Sequence, residues 1–268
     1  MSELKDLVIL IRGAGEMATG VALRLYRSNF RRIIMLETAS PLAVRRRVSF
    51  CEAINEGSMA VEGIDAVRVA DATELDNAWA SGKIAVLVDP LAECTQNLRP
   101  DVLIDAILAK RNLGTSISDA RLVVALGLGF TAGRDCHIVV ETNRGHNLGR
   151  LITSGSAEAN TGIPGNIGGH TKERVLRAPA DGVFVTGREI GDDVRKGHVI
   201  GQVGSELVTA RIDGILRGLI RPGSSVTKGL KIGDIDPRGE VGYCNTLSEK
   251  ARALGGAVLE AILNVYNR

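Results

Sequence analysis

The chain has 268 residues, of which 44% are hydrophobic and 24% charged, and its formal net charge is +2. This length and composition predict a globular protein of two domains rather than a disordered chain. A charge so close to zero argues against binding to nucleic acid or to a membrane surface. One tryptophan, three tyrosines and four phenylalanines are also too few to form base-stacking platforms.

The N-terminal segment and the spacing of the cysteines bear on the cellular compartment of the protein. The N-terminal segment MSELKDLVIL contains acidic residues and leads directly into an apolar run, which argues against a signal peptide. The sequence has no apolar segment long enough to span a bilayer. Its four cysteines are widely separated and form no CxxC pair, so neither a disulfide framework nor a structural zinc site is expected. We therefore expect a cytoplasmic protein without a metal site.

Apolar runs alternate with amphipathic segments up to about residue 126. Strands are predicted over residues 7–11, 33–36, 66–69, 84–88 and 122–126, and helices over 17–28, 42–55, 73–80 and 101–110. Strands that are apolar on both faces and alternate with helices are typical of parallel sheets. The predicted fold class of this part is thus an α/β, Rossmann-like doubly wound sheet.

Two further segments follow the predicted sheet. Residues 136–142 and 147–153 read as a hairpin joined by the turn NRGH. The segment SGSAEANTGIPGNIGGH, residues 154–170, is rich in glycine and lacks any period. A loop of this length in a compact domain is either mobile or functional, and we favour a function.

An internal repeat begins near residue 174. At an offset of 32 residues, Asp181 and Gly182 match Asp213 and Gly214, and Lys196-Gly197 matches Lys228-Gly229. The two halves predict a small all-β barrel-sandwich domain of the biotinyl/lipoyl type. The hairpin between the halves, VGSELVTA, contains no lysine that could carry a prosthetic group. A structural or docking module is therefore expected instead of a carrier.

The pattern predicts two domains and a terminal helix: a Rossmann-like nucleotide-binding domain over residues 1–171, a barrel-sandwich domain over 172–240, and a C-terminal helix over 241–268 that covers the first domain. This last segment places apolar residues on one helical face. Gly255 and Gly256 weaken the helix unless close packing requires them.

A glycine-rich turn follows the first predicted strand. In the sequence Gly13-x-Gly15-x-x-Ala18, the first glycine permits a tight turn, the second lets the backbone approach a phosphate, and Ala18 allows close packing. Glu37 ends the second predicted strand, where an acid can accept a ribose hydroxyl. The alternative is a glycine turn kept only for packing.

Glu16 lies at the mouth of this turn, where its carboxylate would repel a phosphate unless it caps the helix. The candidate cofactor-binding residues of the turn are Gly13, Gly15, Glu16, Met17 and Ala18. We identify no catalytic residue.

Two other segments contain candidate ligands. Arg45, Arg46 and Arg47 suit a phosphate because guanidinium groups bind it bidentately, although a solvated basic helix face explains them equally well. Asp89 follows the fourth predicted strand, where open α/β sheets bind ligands. The nearby Cys94 is a candidate thiol, but a lone cysteine is more often packed than reactive.

Polar side chains concentrate in the turn of the predicted hairpin after residue 140. They are Glu141, Thr142, Asn143, Arg144 and His146. We expect Thr142, Asn143, Arg144 and His146 to converge on the cofactor, with simple turn geometry as the alternative.

The segments RGAGEMATGVALRLYRSNF, ETASPLAVRRRVSFCEAI, ALGLGFTAGRDCHIVVETNRGHNLGR and KARALGGAVLEAIL together resemble the YqeB-type proteins associated with selenium-dependent molybdenum hydroxylases. The part from GFTAG to VVETNRGH also resembles the XdhC proteins, which assist the maturation of molybdenum-cofactor enzymes. Gly13, Gly15 and Ala18 match the family's motifs by position, as does the turn VETNRGH.

The resemblance implies a maturation factor for a selenium-dependent molybdenum hydroxylase, which would be its partner. The implied ligand is a nucleotide or the dinucleotide tail of a molybdopterin, held in a Rossmann-like crevice. The alternatives are an NAD(P)-dependent oxidoreductase and a non-catalytic scaffold with a degenerate Rossmann fold. Homo-oligomer formation stays open.

Overall fold

The computed structural model describes residues 4–159 and 162–267. The described chain divides into two compact units. The first unit consists of residues 4–41, 49–159 and 247–267, and the second of residues 42–48 and 162–246. This division differs from the predicted boundaries after residues 171 and 240. Independent folding of the predicted domains stays a prediction.

The first unit is built on strands from distant parts of the chain. Its strands are β1 Val8–Arg12, β2 Arg32–Glu37, β3 Ser58–Val61, β4 Ile64–Val69, β5 Ile84–Val88, β6 Val102–Asp105, β7 Leu122–Leu126, β8 Thr131–Ala132, β9 Ile138–Val140, β10 Leu151–Ile152 and β11 Gly155–Ser156. Its α-helices are α1 Glu16–Arg27, α2 Ala53–Glu56, α3 Leu75–Ala80, α4 Thr95–Leu98 and α5 Glu249–Tyr266.

Nine of these strands form one mixed sheet in the order β10-β9-β7-β6-β1-β2-β5-β4-β3. The strands from β9 to β4 in this order run parallel, whereas the edge strands β10 and β3 are antiparallel to their neighbours. In the centre, Ile9 of β1 pairs with Ile33 on one side and with Val102 on the other. All three are fully buried because both faces of the sheet are covered.

The predicted strands coincide closely with β1, β2, β4, β5 and β7, and the predicted hairpin with β9 and β10. The helices predicted over residues 42–55 and 101–110 are wrong. In the first segment, Cys51 N–H donates to the Ala14 carbonyl at 2.9 Å, so that the backbone forms only short helical turns. In the second, residues 102–105 form β6, because a short apolar run fits a buried strand as well as a helix.

The predicted fold class is wrong as a whole. The Rossmann-like doubly wound sheet requires regular βαβ units, but no helix connects β6 to β7 or β7 to β9 in the described chain, and the sheet is mixed. The second unit forms two four-stranded antiparallel sheets, in which the biotinyl/lipoyl-like barrel-sandwich domain is not clearly present.

The long helix α5 packs closely against α1 through small residues. A Cβ atom added to Gly20 would lie 2.7 Å from the Ala251 carbonyl oxygen, and one added to Gly255 would lie 2.6 Å from the Gly20 carbonyl oxygen. Gly255 is therefore required by close packing, whereas a Cβ on Gly256 would meet open space.

The second unit contains the internal repeat. Its strands are β12 Val175–Arg177, β13 Gly182–Val185, β14 Asp193–Val194, β15 Val199–Val203, β16 Glu206–Thr209, β17 Gly214–Leu219, β18 Ser225–Val226 and β19 Lys231–Asp236. They form the sheets β12-β19-β17-β14 and β16-β15-β13-β18. Strand β13 of the first half thus pairs with β18 of the second, and β14 of the first half pairs with β17 of the second.

Equivalent aspartates join the two halves. Asp181 accepts a hydrogen bond of 2.7 Å from the Lys228 N–H, and Asp213 accepts one of 2.7 Å from the Lys196 N–H. Each repeat half therefore fixes the Lys-Gly turn of the other half. This exchange explains the recurrence of Asp-Gly and Lys-Gly at the same spacing.

We expect Asp181→Ala and Asp213→Ala each to lower the melting temperature by similar amounts, because each removes one equivalent acceptor. The double variant should lose about the sum, since the two hydrogen bonds share no atoms. Thermal unfolding followed by circular dichroism measures both effects. Asp181→Asn serves as the control, because its side-chain oxygen still accepts the bond. If only one of the two alanine variants had a lower melting temperature, the two aspartates would not be equivalent.

Candidate functional site

Polar residues lie where the parallel strands of the first unit end. Arg12, Glu37 and Asp105 are the last residues of β1, β2 and β6, while Asp89 and Glu141 directly follow β5 and β9. We call this side of the sheet the carboxyl edge. Open α/β sheets bind their ligands at such an edge.

The glycine turn joins β1 to α1 at the carboxyl edge. Gly13 has a φ of +95°, and a Cβ atom there would lie 3.2 Å from the Ala106 carbonyl oxygen, so both conformation and space require glycine. Gly15 is the N-cap of α1, and a Cβ atom there would meet no atom within 4 Å. Space is therefore open beside Gly15.

The start of α1 presents backbone donors to this space. Gly15 offers no side-chain acceptor as N-cap, and no described backbone carbonyl accepts from the N–H groups of Met17 or Ala18. Such groups, together with the helix dipole, favour an anion. Met17 is half-buried and Ala18 is buried, so packing fixes the direction of these donors.

Glu37 supports the turn itself. Its carboxylate accepts hydrogen bonds from the Ala14 N–H at 3.0 Å and from the Thr38 N–H at 2.8 Å. The contact with Ala14 holds the backbone between Gly13 and Gly15, and the expected contact of Glu37 with a ribose hydroxyl stays a prediction.

Glu16 joins α1 to α5. Its carboxylate accepts a hydrogen bond of 3.0 Å from the Ser248 N–H. Ser248 is the N-cap of α5, and its hydroxyl oxygen accepts from the Ala251 N–H. The Glu16 side chain therefore binds the start of another helix, and this contact brings the beginnings of α1 and α5 together.

The hairpin turn after β9 is organised by Glu141. This buried carboxylate accepts from the Asn143 N–H at 2.6 Å and from the Glu158 N–H at 2.7 Å. The Asn143 amide donates to the Glu158 carboxylate at 2.8 Å, and Thr142 packs against Gly127. Arg144 and His146 differ from these residues, because Arg144 forms an ion pair with Glu249 of α5 at 2.8 Å and His146 is exposed.

Lys250 lies in the first turn of α5 and was missed by the sequence interpretation. Burial lowers the pKa of its ammonium and Arg144 lowers it further, while Glu16, Glu141 and Glu249 act in the opposite direction. None of the described residues forms a hydrogen bond or an ion pair with this ammonium. A signal did exist, since a lysine in the first turn of a predicted helix opposes the helix dipole.

A buried network at the ends of β1 and β6 was also missed. The Arg12 guanidinium donates to the Thr115 hydroxyl at 2.6 Å, and this hydroxyl donates to the Asp105 carboxylate at 2.7 Å. Burial raises the pKa of Asp105, although Thr115 and Arg12 counteract the rise. Because the three side chains are joined to one another by hydrogen bonds, we infer that this network stabilises the sheet.

Asp89 and Cys94 do not form a reactive thiolate site. The Asp89 carboxylate accepts from the Glu93 N–H at 3.0 Å and from the Cys94 N–H at 2.9 Å. Burial and the nearby Asp89 raise the pKa of the Cys94 thiol to about 12. The thiol is therefore protonated at neutral pH and is a poor nucleophile.

The three consecutive arginines belong to the second unit. Arg45 donates to the carbonyl oxygens of Tyr243 at 2.7 Å and Thr246 at 2.8 Å, and Arg46 donates to the Leu219 carbonyl oxygen at 2.8 Å. Arg47 is exposed. These contacts account for Arg45 and Arg46 by packing, and a ligand role of the three arginines stays a prediction.

The beginning of the glycine-rich segment lines a polar pocket of about 250 Å³ in the first unit. The pocket is formed by Glu141, Asn147, Arg150, Ile152, Ser154, Ser156 and Glu158. Residues 160 and 161 of the segment lie outside the described residues. The functional role expected for residues 154–170 stays a prediction.

Sequence comparison finds one similar curated protein. No family model matches the chain. The chain is 49% identical over 261 residues to the uncharacterized protein YqeB of Escherichia coli (strain K12). The sequence resemblance to YqeB is thus confirmed. The match covers 97% of this chain and 48% of YqeB, so the chain spans about half the length of this curated relative.

Three solved structures show a remote likeness. A succinylglutamate desuccinylase/aspartoacylase from Rhodobacter sphaeroides is 22% identical over 32% of this chain and 29% of that chain, with a TM-score of 0.22. The product-bound ectoine utilization protein EutE (DoeB) from Ruegeria pomeroyi is 11% identical over 80% and 61%, with a TM-score of 0.24. An aspartoacylase family protein from Mesorhizobium loti is 14% identical over 85% and 84%, with a TM-score of 0.26.

These findings correct the expected function. The solved structures are desuccinylase and aspartoacylase proteins, not Rossmann-type maturation factors, and YqeB is uncharacterized. The expected maturation factor with a nucleotide or molybdopterin dinucleotide is therefore dropped, and so are its alternatives, an NAD(P)-dependent oxidoreductase and a non-catalytic scaffold with a degenerate Rossmann fold. The likeness to XdhC and the selenium-dependent hydroxylase partner are not confirmed. Because these structures match with TM-scores of only 0.22 to 0.26, they do not assign another activity to this chain.

Within residues 4–159 and 162–267, every helix is too short or too polar to cross a bilayer. A cytoplasmic location stays a prediction.

Proposed function

We propose that the first unit binds a small molecule through an oxyanion, a carboxylate or a phosphate, at the carboxyl edge beside Gly15. The observation that carries this proposal is the meeting of three distant segments: the glycine turn, the hairpin turn after Glu141, and the start of α5. The Glu16–Ser248 hydrogen bond and the Arg144–Glu249 ion pair join these segments.

The local chemistry favours an anionic group over a neutral one. The N–H groups at the start of α1 point out of the helix, and the open space beside Gly15 lets an oxygen atom approach them. Lys250 adds a positive charge that no described side chain pairs. The carboxylate of Glu16 is engaged by the Ser248 N–H, which reduces the repulsion that its position alone would cause.

A thermal-shift panel with inorganic phosphate, sulfate and acetate tests the proposal. A ligand present at about 100 times its dissociation constant adds about 2.7 kcal/mol to the free energy of unfolding, which raises the melting temperature. In Gly15→Asp we expect this rise to vanish, because a carboxylate would occupy the oxyanion position. The variant should fold, since a Cβ atom at Gly15 meets open space.

Gly242→Asp is the matched control. Gly242 is exposed, lies in the second unit, and also leaves open space for a Cβ atom. This variant should retain the full ligand-induced rise. No rise with any oxyanion in the unsubstituted protein, or an equal rise in Gly15→Asp, would refute the proposed function.

A further inference from the structure

The polar pocket of the first unit is built mainly by one short segment that contains β10 and β11. Side chains two positions apart lie on the same side of an extended backbone. Between residues 150 and 158 every second residue lines the pocket, namely Arg150, Ile152, Ser154, Ser156 and Glu158. The segment therefore turns one face to the pocket, and Glu141 and Asn147 of the preceding hairpin complete the lining.

Both carboxylates of the pocket are held in fixed positions. Glu158 accepts hydrogen bonds from the Asn143 amide at 2.8 Å and from the Asn147 amide at 2.7 Å. Glu141 is buried and accepts main-chain N–H groups from Asn143 at 2.6 Å and from Glu158 at 2.7 Å. The two amides lower the pKa of Glu158, and the charge of Arg150 lowers it further, so Glu158 is ionised at neutral pH. A cationic group of a ligand would thus meet acceptors that are already oriented.

Arg150 supplies the opposite charge. Its guanidinium forms no hydrogen bond or ion pair with any described residue, not even with Glu158 of the same pocket. The Ser154 hydroxyl also lacks a described partner, whereas the Ser156 hydroxyl lies 3.1 Å from that of Thr131. Because a guanidinium binds a carboxylate bidentately, Arg150 is available for an acidic group of a ligand.

The size and lining of the pocket restrict the ligand further. Its volume of about 250 Å³ is below the range of about 300–1,000 Å³ that is typical for drug-sized ligands. Ile152 is half-buried on β10 and packs against the hydrophobic core, so it forms a small apolar floor. The other lining residues are polar. The pocket therefore suits a small polar molecule.

We infer that this pocket binds a small amino acid with a short side chain. The carboxylate of the amino acid pairs with Arg150, and its ammonium pairs with Glu158 beside Glu141. A simple amine would leave the guanidinium without a counter-charge, a simple acid would do the same to Glu158, and a neutral polyol would pair with neither. Because Gly15 and α1 do not contribute to the described lining, the inference is independent of the proposed function.

Isothermal titration calorimetry with three related small molecules tests the inference. L-Serine carries both charges, ethanolamine lacks its carboxylate, and L-glycerate has a hydroxyl group in place of its ammonium. We expect L-serine to bind at least about tenfold more tightly than either of the others, because each of them leaves one charged side chain unpaired. Glycine should also bind, since it carries the same two charges.

Two substitutions separate the charges of the pocket. In Arg150→Gln, L-serine should bind at least about tenfold more weakly and no more tightly than ethanolamine, because the group that recognises the carboxylate is absent. In Glu158→Gln, L-serine should lose its advantage over L-glycerate for the corresponding reason. Both residues are exposed, so the variants should fold, which circular dichroism checks. A purely structural role of either residue would not change which ligand is preferred.

Arg134→Gln is the matched control. Arg134 is an exposed arginine of the same unit that pairs with Asp135 and is not among the described residues of the pocket. This variant should bind L-serine as tightly as the unsubstituted protein. Gly15→Asp should do so too, whether or not an oxyanion binds beside Gly15, so the two proposals fail separately.

Three results would overturn the inference. The first is that neither L-serine nor glycine binds the unsubstituted protein. The second is that ethanolamine or L-glycerate binds it as tightly as L-serine, which would indicate a site for a single charge. The third is that Arg150→Gln and Glu158→Gln keep the ligand preference of the unsubstituted protein.

Discussion

Asp234→Asn is expected to lower the free energy of unfolding of the second unit by about 3–5 kcal/mol, the usual cost of removing one partner from a buried ion pair. Asp234 is fully buried on β19 and accepts from Arg174, from Arg217 with an Nε–Oδ2 distance of 3.0 Å, and from Lys231 at 3.2 Å. An asparagine leaves these cations without their shared counter-charge. Chemical denaturation followed by circular dichroism measures the loss.

The same carboxylate predicts a pH dependence. Burial by itself would raise the pKa of Asp234, but Lys231, Arg217 and Arg174 outweigh it and lower the pKa from 3.8 to about 2. Because the pKa of Asp234 is lower in the folded than in the unfolded protein, the ionised carboxylate stabilises the fold fully at a pH above its unfolded-state pKa. This stabilisation is lost as the pH falls from about 4 towards 2. Asp234→Asn should remove this part of the acid sensitivity.

Asp193→Asn is the matched control in the same unit. Asp193 forms an exposed pair with Arg195 at 3.4 Å, and such pairs contribute little. We expect a change within about 0.5 kcal/mol. Equal losses in both variants, or an Asp234→Asn variant as stable as the unsubstituted protein, would contradict the assigned role of the buried cluster.

Gly255→Ala and Gly256→Ala are expected to change the stability of the first unit in opposite directions. A methyl group at Gly255 would overlap the Gly20 carbonyl oxygen and the Arg24 side chain, so we expect a loss of about 1–3 kcal/mol from overpacking. A methyl group at Gly256 meets open space, and alanine is the better helix former by about 0.5–1 kcal/mol. Thermal and denaturant unfolding measure both.

The two adjacent glycines control for each other, since both lie in α5 and undergo the same substitution. A gain at Gly255, or equal losses at both positions, would mean that α5 does not pack on α1 as described. Gly20→Ala should reproduce the loss from the opposite helix, because its methyl group would meet the Ala251 carbonyl oxygen.

The candidate site could be read only in part from the sequence. Gly13, Gly15 and the turn after Glu141 stand out because glycine and polar residues follow apolar runs, and such patterns mark strand ends. Lys250 does not stand out in this way, since a lysine in an amphipathic helix is usually an exposed residue. Its neighbours Glu16 and Glu141 are more than 100 positions away, and no local pattern relates them.

The errors have a related cause. The pattern predicts a helix over residues 101–110 because three apolar residues in a row at 102–104 fit either element, and pairing with both β1 and β7 decides for the strand. The basic residues that follow Arg45 favour a phosphate ligand, which stays a prediction, but they do not indicate which carbonyl oxygens the side chain binds. The carbonyl oxygens that it binds belong to residues 243 and 246, far along the chain.

The sequence by itself determined five of the parallel strands of the sheet, the glycine turn, the internal repeat and the likeness to YqeB, because each depends on residues close together or on direct similarity. Only the tertiary structure decided the mixed sheet, the exchange of strands between repeat halves, and the meeting of Glu16, Ser248 and Lys250 at the carboxyl edge. The physical reason is that hydrophobic periodicity records which face of a segment is buried. It does not record which distant segment covers that face.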